Sequence, residues 1–176
     1  TKIEANANRY SFVWKTRVTK SQAKLGEKIA EELPVLLEKA EAGFAVPKNV
    51  TVQQLKKLRK RLYAIKESKG IVFVYGRGHR KSELQRAIET ITGWIKRLKR
   101  YNLDIHICGD RNSYSKTDHD ATFMRMKDDH MKNGQLKAGY NVNVATVSEF
   151  IVGNYISADR TDTKTFIPFM AKLLKK

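Results

Sequence analysis

The spacing of apolar residues predicts helices in the middle of the chain and strands towards both ends. Three stretches repeat apolar residues every three or four positions, the period of one buried helix face, although Pro34 interrupts the first stretch. The stripes are Leu25, Ile29, Leu33, Leu36, Leu37 and Ala40, then Val52, Leu55, Leu58, Leu62 and Ile65, then Leu84, Ile88, Ile91, Ile95 and Leu98. The third stripe repeats like a heptad seam, and its short length favours packing within one chain over a coiled-coil dimer.

Two of these helices begin at sequences typical of a capping box. Thr51 and Ser82 each stand three residues before a glutamine, Gln54 and Gln85 respectively. In a capping box the hydroxyl accepts a hydrogen bond from the third helical amide, and the glutamine side chain reaches back to the first residue. The sequence therefore predicts helices that begin directly after Thr51 and after Ser82.

The two ends of the chain have the character of strands. "TKIEA" and "YSFVW" near the start are extended in pattern, and "GYNVNVAT" and "FIVGNYIS" are separated only by "VSE". Such a short connection predicts an antiparallel hairpin. A final helix is expected to begin near Thr165, which would place Pro168 in the first turn, where its missing N–H has no intrahelical partner. Strands at the ends and helices between them predict an α+β fold.

Charge is concentrated in the middle of the chain. The net charge is +17, and residues 48–100 hold 16 of the 35 lysines and arginines but only 3 of the 18 acidic residues. A basic block of this kind indicates nucleic acid as the partner, with a solvated helix surface or an anionic membrane surface as alternatives. The candidates for contacts with phosphate are Lys56, Lys57, Lys60, Arg61, Arg77, Arg80 and Lys81.

Several other kinds of site are disfavoured by the residues present. Cys108 is the single cysteine, so no internal disulfide can form, and His106 with Cys108 lacks a second pair at zinc-ligand spacing. The segment "GRGHRKS" lacks the glycine spacing of a phosphate-binding loop. No apolar run approaches 18 residues, so no membrane-spanning helix is predicted, and nucleic acid is favoured over a membrane as the partner.

One acidic stretch, "TDHDATFMRMKDDHM", raises the possibility of a metal site. On a strand, Asp118 and Asp120 would point to the same face, as a two-metal phosphoryl-transfer centre would require. The alternative is solvated charge or aspartates that cap the backbone, and the polar, turn-like end of the stretch favours this alternative. The other ionisable residues concerned are His119, Asp128, Asp129 and His130.

Three stretches together resemble bacterial insertion-sequence transposases of the DDE superfamily, and most of all the group named after insertion sequence 1182. They are "TKIEANANRYSFVW" (1–14), "RNSYSKTDHDATFMRMKDDHMKNGQLKAGYNVNVAT" (111–146) and "TDTKTFIPFMAKL" (161–173), about 60 of the 176 residues in the family's order. His119 and Ala138 stand where the family tends to have proline.

The resemblance implies a partial RNase H-like core, strands plus one helix, interrupted by a basic helical insertion. Residues 1–14 would be the remainder of the first strand, residues 15–110 the insertion, and residues 111–176 the core hairpin and the following helix. In the family, three acidic residues bind two Mg²⁺ or Mn²⁺ ions, and all three positions fall outside this chain. No catalytic residue and no bound metal are therefore expected here, and Asp118 and Asp120 are the candidates that remain if this alignment is misplaced.

The resemblance further implies a fragment of a transposase that binds DNA, both at the element's ends and at the target. The parent enzyme would cleave and join DNA in the bacterial cytoplasm, at the nucleoid. The alternative is a non-catalytic nucleic-acid-binding or regulatory module derived from a transposase. Such a module would pair with a second copy of itself or with the full-length transposase.

Overall fold

A computed structural model describes residues 1–6, 11–46, 50–126, 134 and 136–175. The elements in chain order are β1 (Lys2–Glu4), β2 (Phe12–Trp14), α1 (Lys15–Lys39), α2 (Val52–Ser68), α3 (Glu83–Cys108), β3 (Ser113–Ser115), β4 (Thr122–Arg125), β5 (Leu136–Val147), β6 (Phe150–Ser157) and α4 (Asp162–Leu173). The predicted α+β class is confirmed.

The chain divides into two compact units. Unit 1 contains Thr1–Val18 and Asp104–Lys176, and unit 2 contains Thr19–Leu103. The boundaries expected from the sequence lay after residues 14 and 110, several residues away from this division. The difference arises because α1 begins, and α3 ends, among residues that belong to unit 1.

Unit 2 is built on the three apolar stripes. Residues of α1, α2 and α3 form one hydrophobic cluster, in which Ile29, Leu33, Leu55, Leu62 and Ile91 are completely inaccessible to solvent. All five members of the heptad-like stripe on α3 belong to this cluster. The predicted packing of that stripe within the chain is therefore confirmed.

Two expectations about proline are wrong. Helix α1 continues through Pro34, because Leu33 and Leu37 are both buried and hold the helix on each side of the missing hydrogen bond. Helix α4 begins at Asp162 and not near Thr165, so Pro168 lies in its interior. Thr165 and Phe169 lie one turn apart on its buried face, and this packing outweighs the local cost of the proline.

The first capping box is confirmed and the second is half formed. At α2, Thr51 Oγ1 accepts from the Gln54 amide at 3.3 Å and Gln54 Oε1 accepts from the Thr51 amide at 2.8 Å. At α3, Ser82 Oγ accepts from the Gln85 amide at 3.2 Å, but the Gln85 side chain bonds to Val74 instead. The helix starts themselves are as predicted.

The strands of unit 1 are all antiparallel, and β5 is at their centre. β5 pairs with β1, β4 and β6, while β2 pairs with β3 in a separate two-stranded sheet. The predicted hairpin is confirmed as β5–β6. Its two connecting residues, Ser148 and Glu149, have φ angles of 45° and 70°, the left-handed values that a tight two-residue hairpin turn requires.

The buried cluster of unit 1 is small. Ala5, Ala121, Phe123 and Ala138 form it, with Trp14 and Tyr140 packed against it. By contrast, Phe150 is 75% exposed and Ile151 is 70% exposed on β6. Within the described ranges, β5 is the one strand that pairs with β6. Much of the apolar surface of this unit therefore faces solvent.

Candidate nucleic-acid interface

The outer side of α2 carries four cations, Lys56, Lys57, Lys60 and Arg61, which are called the α2 basic face below. All four are exposed, because the stripe of Leu55, Leu58 and Leu62 directs the opposite side of the helix into the core. Two pairs within the α2 basic face are four residues apart and carry like charges. Such pairs destabilise a helix by about 0.2–0.5 kcal/mol each, so folding alone does not favour this arrangement.

The charges of the α2 basic face are not neutralised locally. Glu67 is the single acidic residue in α2, and in the described part of the chain none of the four cations lies within 4.0 Å of a carboxylate oxygen. The Arg61 guanidinium lies 5.5 Å from the centroid of the Phe44 ring, a cation–π contact that preserves its charge. These cations are therefore available to an external anion.

An open groove of about 540 Å³ extends from the start of α2 to the second half of α3. Lys56 of α2 and Lys99 of α3 both line it, together with Thr51, Val52, Gln53 and Asn102. The first turn of α2 contains no acidic residue, so the positive end of its dipole is not offset there. The groove therefore receives positive charge from Lys56, from Lys99 and from the N-terminal end of the α2 dipole, and this charge suits a phosphate.

The loop between α2 and α3 supplies the remaining predicted cations. Arg77 and Arg80 are exposed, and in the described residues neither is within ion-pair distance of a carboxylate. Lys81 differs, because its ammonium lies 2.7 Å from Glu89 Oε2. The hydrogen bond from Lys81, followed by one from Gln85, lowers the pKa of the Glu89 carboxyl. Lys81 is therefore the least suited of the seven candidates to bind phosphate.

Asp118 precedes β4 and does not lie on a strand, so the same-face arrangement with Asp120 that a strand would give does not occur. Asp118 Oδ1 accepts from the amides of Asp120 and Ala121 at 3.2 and 3.3 Å, and Oδ2 accepts from the Tyr140 hydroxyl at 2.7 Å. Burial, followed by this bond to the carboxylate, raises the pKa of Tyr140 to about 12. Both oxygens of Asp118 thus serve the fold, as backbone capping predicts.

The rest of the acidic stretch gives no metal centre among the described residues. Asp120 is exposed, and its carbonyl oxygen accepts from Arg111 at 2.8 Å. Asp128, Asp129 and His130 lie outside the described residues. Within residues 1–6, 11–46, 50–126, 134 and 136–175, no group of three or more His, Cys, Asp or Glu side chains could hold a metal ion.

Cys108 has the properties of a structural residue. It is fully buried, and burial raises the pKa of its thiol, which disfavours the nucleophilic thiolate.

Unit 1 contains a polar cavity of about 240 Å³ that the sequence did not indicate. Arg111, Arg160 and Lys164 line it with Asp110 and Asp159, so its positive charge is largely offset. Arg111 is also held by the carbonyl oxygens of Ile107 and Asp120 at 2.7 and 2.8 Å. Its balance of charge makes the cavity a poorer site for an anion than the groove of unit 2.

Sequence reasoning identified the α2 basic face but missed its partners on α3. Lys99 and Asn102 belong to the groove because they lie off the buried stripe, next to Leu98 and one turn further on. The sequence did carry a signal for Lys99, because it belongs to the basic block and lies off the apolar stripe of α3, which predicts an exposed position.

Comparison of the chain with protein-family models, with curated proteins and with solved structures gave no match. In the part of the chain that the structure describes, no helix combines the length and the apolar character needed to cross a membrane. Function is therefore inferred from the charge and geometry of unit 2, together with the sequence resemblance described above.

Proposed function

We propose that the chain binds DNA through the exposed cations of unit 2. The observation that carries this proposal is the α2 basic face, with four exposed cations that have no carboxylate partner among the described residues. Like charges one turn apart weaken a helix, whereas they strengthen the attraction to a polyanion. The groove that joins Lys56 to Lys99 gives the phosphate backbone a concave surface to follow.

We further propose that this DNA-binding chain is part of a DDE-superfamily transposase with an RNase H-like core. The support is the resemblance of residues 1–14, 111–146 and 161–173, and the α+β arrangement is compatible with it. In this proposal the parent enzyme acts on DNA with Mg²⁺ or Mn²⁺, at element ends and at the target. In this proposal the family's acidic triad aligns outside residues 1–176, so these residues are expected to bind no catalytic metal and to show no activity by themselves.

The test of DNA binding is the salt dependence of affinity for a fluorescent duplex, measured by anisotropy. Each phosphate contact contributes roughly 0.9 to the slope of log affinity against log salt. Replacement of Lys56, Lys57, Lys60 and Arg61 together by Gln is expected to lower that slope by roughly 3 to 4. A matched control replaces four exposed cations of α1 by Gln, namely Lys20, Lys24, Lys28 and Lys39.

The control separates a specific face from net charge, because both variants lose four positive charges. A slope that changes by less than roughly 1 in the α1 variant supports the assignment of binding to α2. Equal changes in both variants would show that the protein binds any polyanion through its overall charge. An unchanged slope in the α2 variant would remove the α2 basic face from the interface.

Catalytic silence is tested with supercoiled DNA in Mg²⁺ or Mn²⁺. Binding that is equal in the ground state and the transition state gives no rate enhancement, so the purified chain is expected to produce no nicks above a buffer control. Metal-dependent nicking that disappears with Asp118→Asn and Asp120→Asn would place the active site in this chain.

The second candidate is a regulatory module that pairs with another copy or with full-length transposase. Exposed apolar side chains on β6 and α4 favour it, among them Phe150, Ile151 and Ile167. Sedimentation over a range of concentrations distinguishes the two roles. A monomer that binds DNA supports the first, and a dimer that Ile151→Ser dissociates supports the second.

A further inference from the structure

The segment between α2 and α3 is fastened to the protein by one buried side chain. Gln85 is 0% exposed, and its amide group donates to the Val74 carbonyl at 2.8 Å and accepts from the Val74 N–H at 3.1 Å. Ile71 and Phe73, in the same segment, pack against the core of unit 2. The backbone next to Tyr75 is therefore held in place without belonging to a helix or strand.

Tyr75 is presented to solvent at the end of this fastened segment. Its side chain is 70% exposed, and the basic loop that follows contains Arg77 and Arg80, both exposed. Gly76 and Gly78 have φ angles of 96° and 85°, which a residue with a side chain rarely adopts, so the loop turns sharply directly after the tyrosine.

A second exposed aromatic residue connects this segment to α2. Tyr63 is 40% exposed, and the centroid of its ring lies 6.2 Å from the centroid of the Phe73 ring. The ammonium group of Lys66 lies over the same Phe73 ring, 5.2 Å from its centroid. Phe73, two residues before Tyr75 in the chain, is thus in contact with an aromatic ring and with a cation of α2.

This combination fits single-stranded DNA better than duplex DNA. In a duplex each base is stacked between its neighbours, whereas an unpaired base can place its face against an aromatic ring. Proteins that bind single strands combine such rings with a positively charged groove that follows the backbone. The attraction to a duplex backbone comes mainly from cations, to which a tyrosine hydroxyl can add a hydrogen bond to phosphate, but an intact duplex offers the ring no free base face on which to stack.

We propose that Tyr75 stacks on an unpaired base while Arg77 and Arg80 bind the flanking phosphates, so that the chain binds single-stranded DNA more tightly than duplex. This inference rests on the DNA binding proposed above and specifies its substrate class. A structure with unpaired bases, such as a frayed or opened end, would be preferred over an uninterrupted duplex.

The experiment compares a labelled 20-nucleotide single strand with the duplex of the same sequence, at one salt concentration, by fluorescence anisotropy. The variants are Tyr75→Ala and Tyr75→Phe, and Val72→Ala is the control because Val72 is an exposed neighbour without a π system. Circular dichroism confirms that each variant keeps its helices.

The wild-type chain is expected to favour the single strand. One base stack lost on substitution by alanine corresponds to a loss of roughly 5- to 150-fold in affinity. Tyr75→Ala is therefore expected to weaken single-strand binding by this factor and duplex binding by less than about 2-fold. Tyr75→Phe retains the ring and is expected to behave like the wild type, as is Val72→Ala.

A direct readout uses the wild-type chain and a single strand that carries 5-iodouracil. Irradiation is expected to join the base to Tyr75, and mass spectrometry of the peptides identifies the residue. This measurement stands even if a variant fails to fold.

The possible failures can be distinguished. Binding to neither oligonucleotide overturns the proposed DNA binding, and with it this inference. Salt-dependent duplex binding with no preference for the single strand overturns the inference alone. Equal losses for both oligonucleotides in Tyr75→Ala, or photo-crosslinks that exclude Tyr75, also overturn it.

Discussion

Unit 2 and unit 1 differ in where their apolar residues lie. In unit 2 the three stripes meet in one buried cluster, and the exposed faces of α2 and α3 carry mainly cations. In unit 1 the buried cluster is small, and apolar residues of β6 and α4 remain exposed. The first surface suits a polyanion and the second suits an apolar partner, and neither is explained by the packing of its own unit.

The largest expected effect is a loss of stability in unit 2, where a buried isoleucine should contribute far more to the free energy of unfolding than an exposed one in unit 1. Ile91→Ala, in the core of unit 2, is expected to lower the free energy of unfolding by about 2–5 kcal/mol. Ile151→Ala, on β6, is the matched control and is expected to change it by less than about 0.5 kcal/mol. Urea unfolding followed by circular dichroism measures both. A similar loss in the two variants would mean that the β6 surface is covered in solution.

A smaller effect is expected where unit 2 depends on a polar contact. Gln85→Leu leaves the N–H and the carbonyl of Val74 without their partner, and is expected to cost about 1–3 kcal/mol. The control is Gln22→Leu, which removes an exposed bond between the side chains of Gln22 and Asn102. If the two variants are equally stable, the bonds of Gln85 to Val74 contribute nothing to the stability of unit 2.

A gain in stability is expected in the hairpin of unit 1. Glu149 has a φ angle of 70°, and a left-handed conformation is unfavourable for residues other than glycine by roughly 1 kcal/mol. Glu149→Gly removes this strain and is expected to raise the free energy of unfolding by about 0.5–1 kcal/mol. Glu149→Ala is the control, because it removes the charge and keeps the strain. A gain in both variants would implicate charge instead of backbone conformation.

The last prediction concerns the dependence of stability on pH, and its effect is the smallest at neutral pH. It involves Tyr140, whose pKa is raised to about 12. The folded chain keeps the phenolic proton when the unfolded chain, with a pKa near 10, has lost it. Stability from this group is therefore complete below pH 10 and is lost as the pH rises towards 12. Between pH 10 and 12, the unfolding free energy of the wild type is therefore expected to fall relative to that of Tyr140→Phe. A constant difference from pH 9 to 12 would contradict the raised pKa.

Local periodicity was sufficient to predict most of unit 2. The stripe from Leu84 to Leu98 specified both the helix and its buried face. In the same way, the exposed cations of α2 were predictable as the basic residues that lie off its buried stripe. The hairpin was also predictable, because the two strand patterns leave room for only a tight turn. These features depend on residues close together in the chain.

The failures came from contacts between distant residues. Gln85 was expected to cap its own helix, but it bonds to Val74, eleven residues away. Asp118 caps the backbone, as the sequence favoured, but the bond of its second oxygen to Tyr140 was not predicted, because the sequence does not place the two residues close together. The groove likewise depends on Lys99 of another helix. Such partners are brought together by packing and leave no periodic signal.

In the part of the chain that the structure describes, β6 is an edge strand, and this has a consequence for the behaviour of the protein in concentrated solution. Residues 150–157 contain no charge and no proline, and an uncharged edge strand readily pairs with the same strand of another molecule. At low salt the net charge of +17 keeps molecules apart. The screening length shrinks from about 10 Å at 0.1 M salt to about 3 Å at 1 M, so repulsion between molecules fades. The salt that removes DNA during purification is thus expected to favour turbidity, and solubility and DNA release will call for opposite ionic strengths.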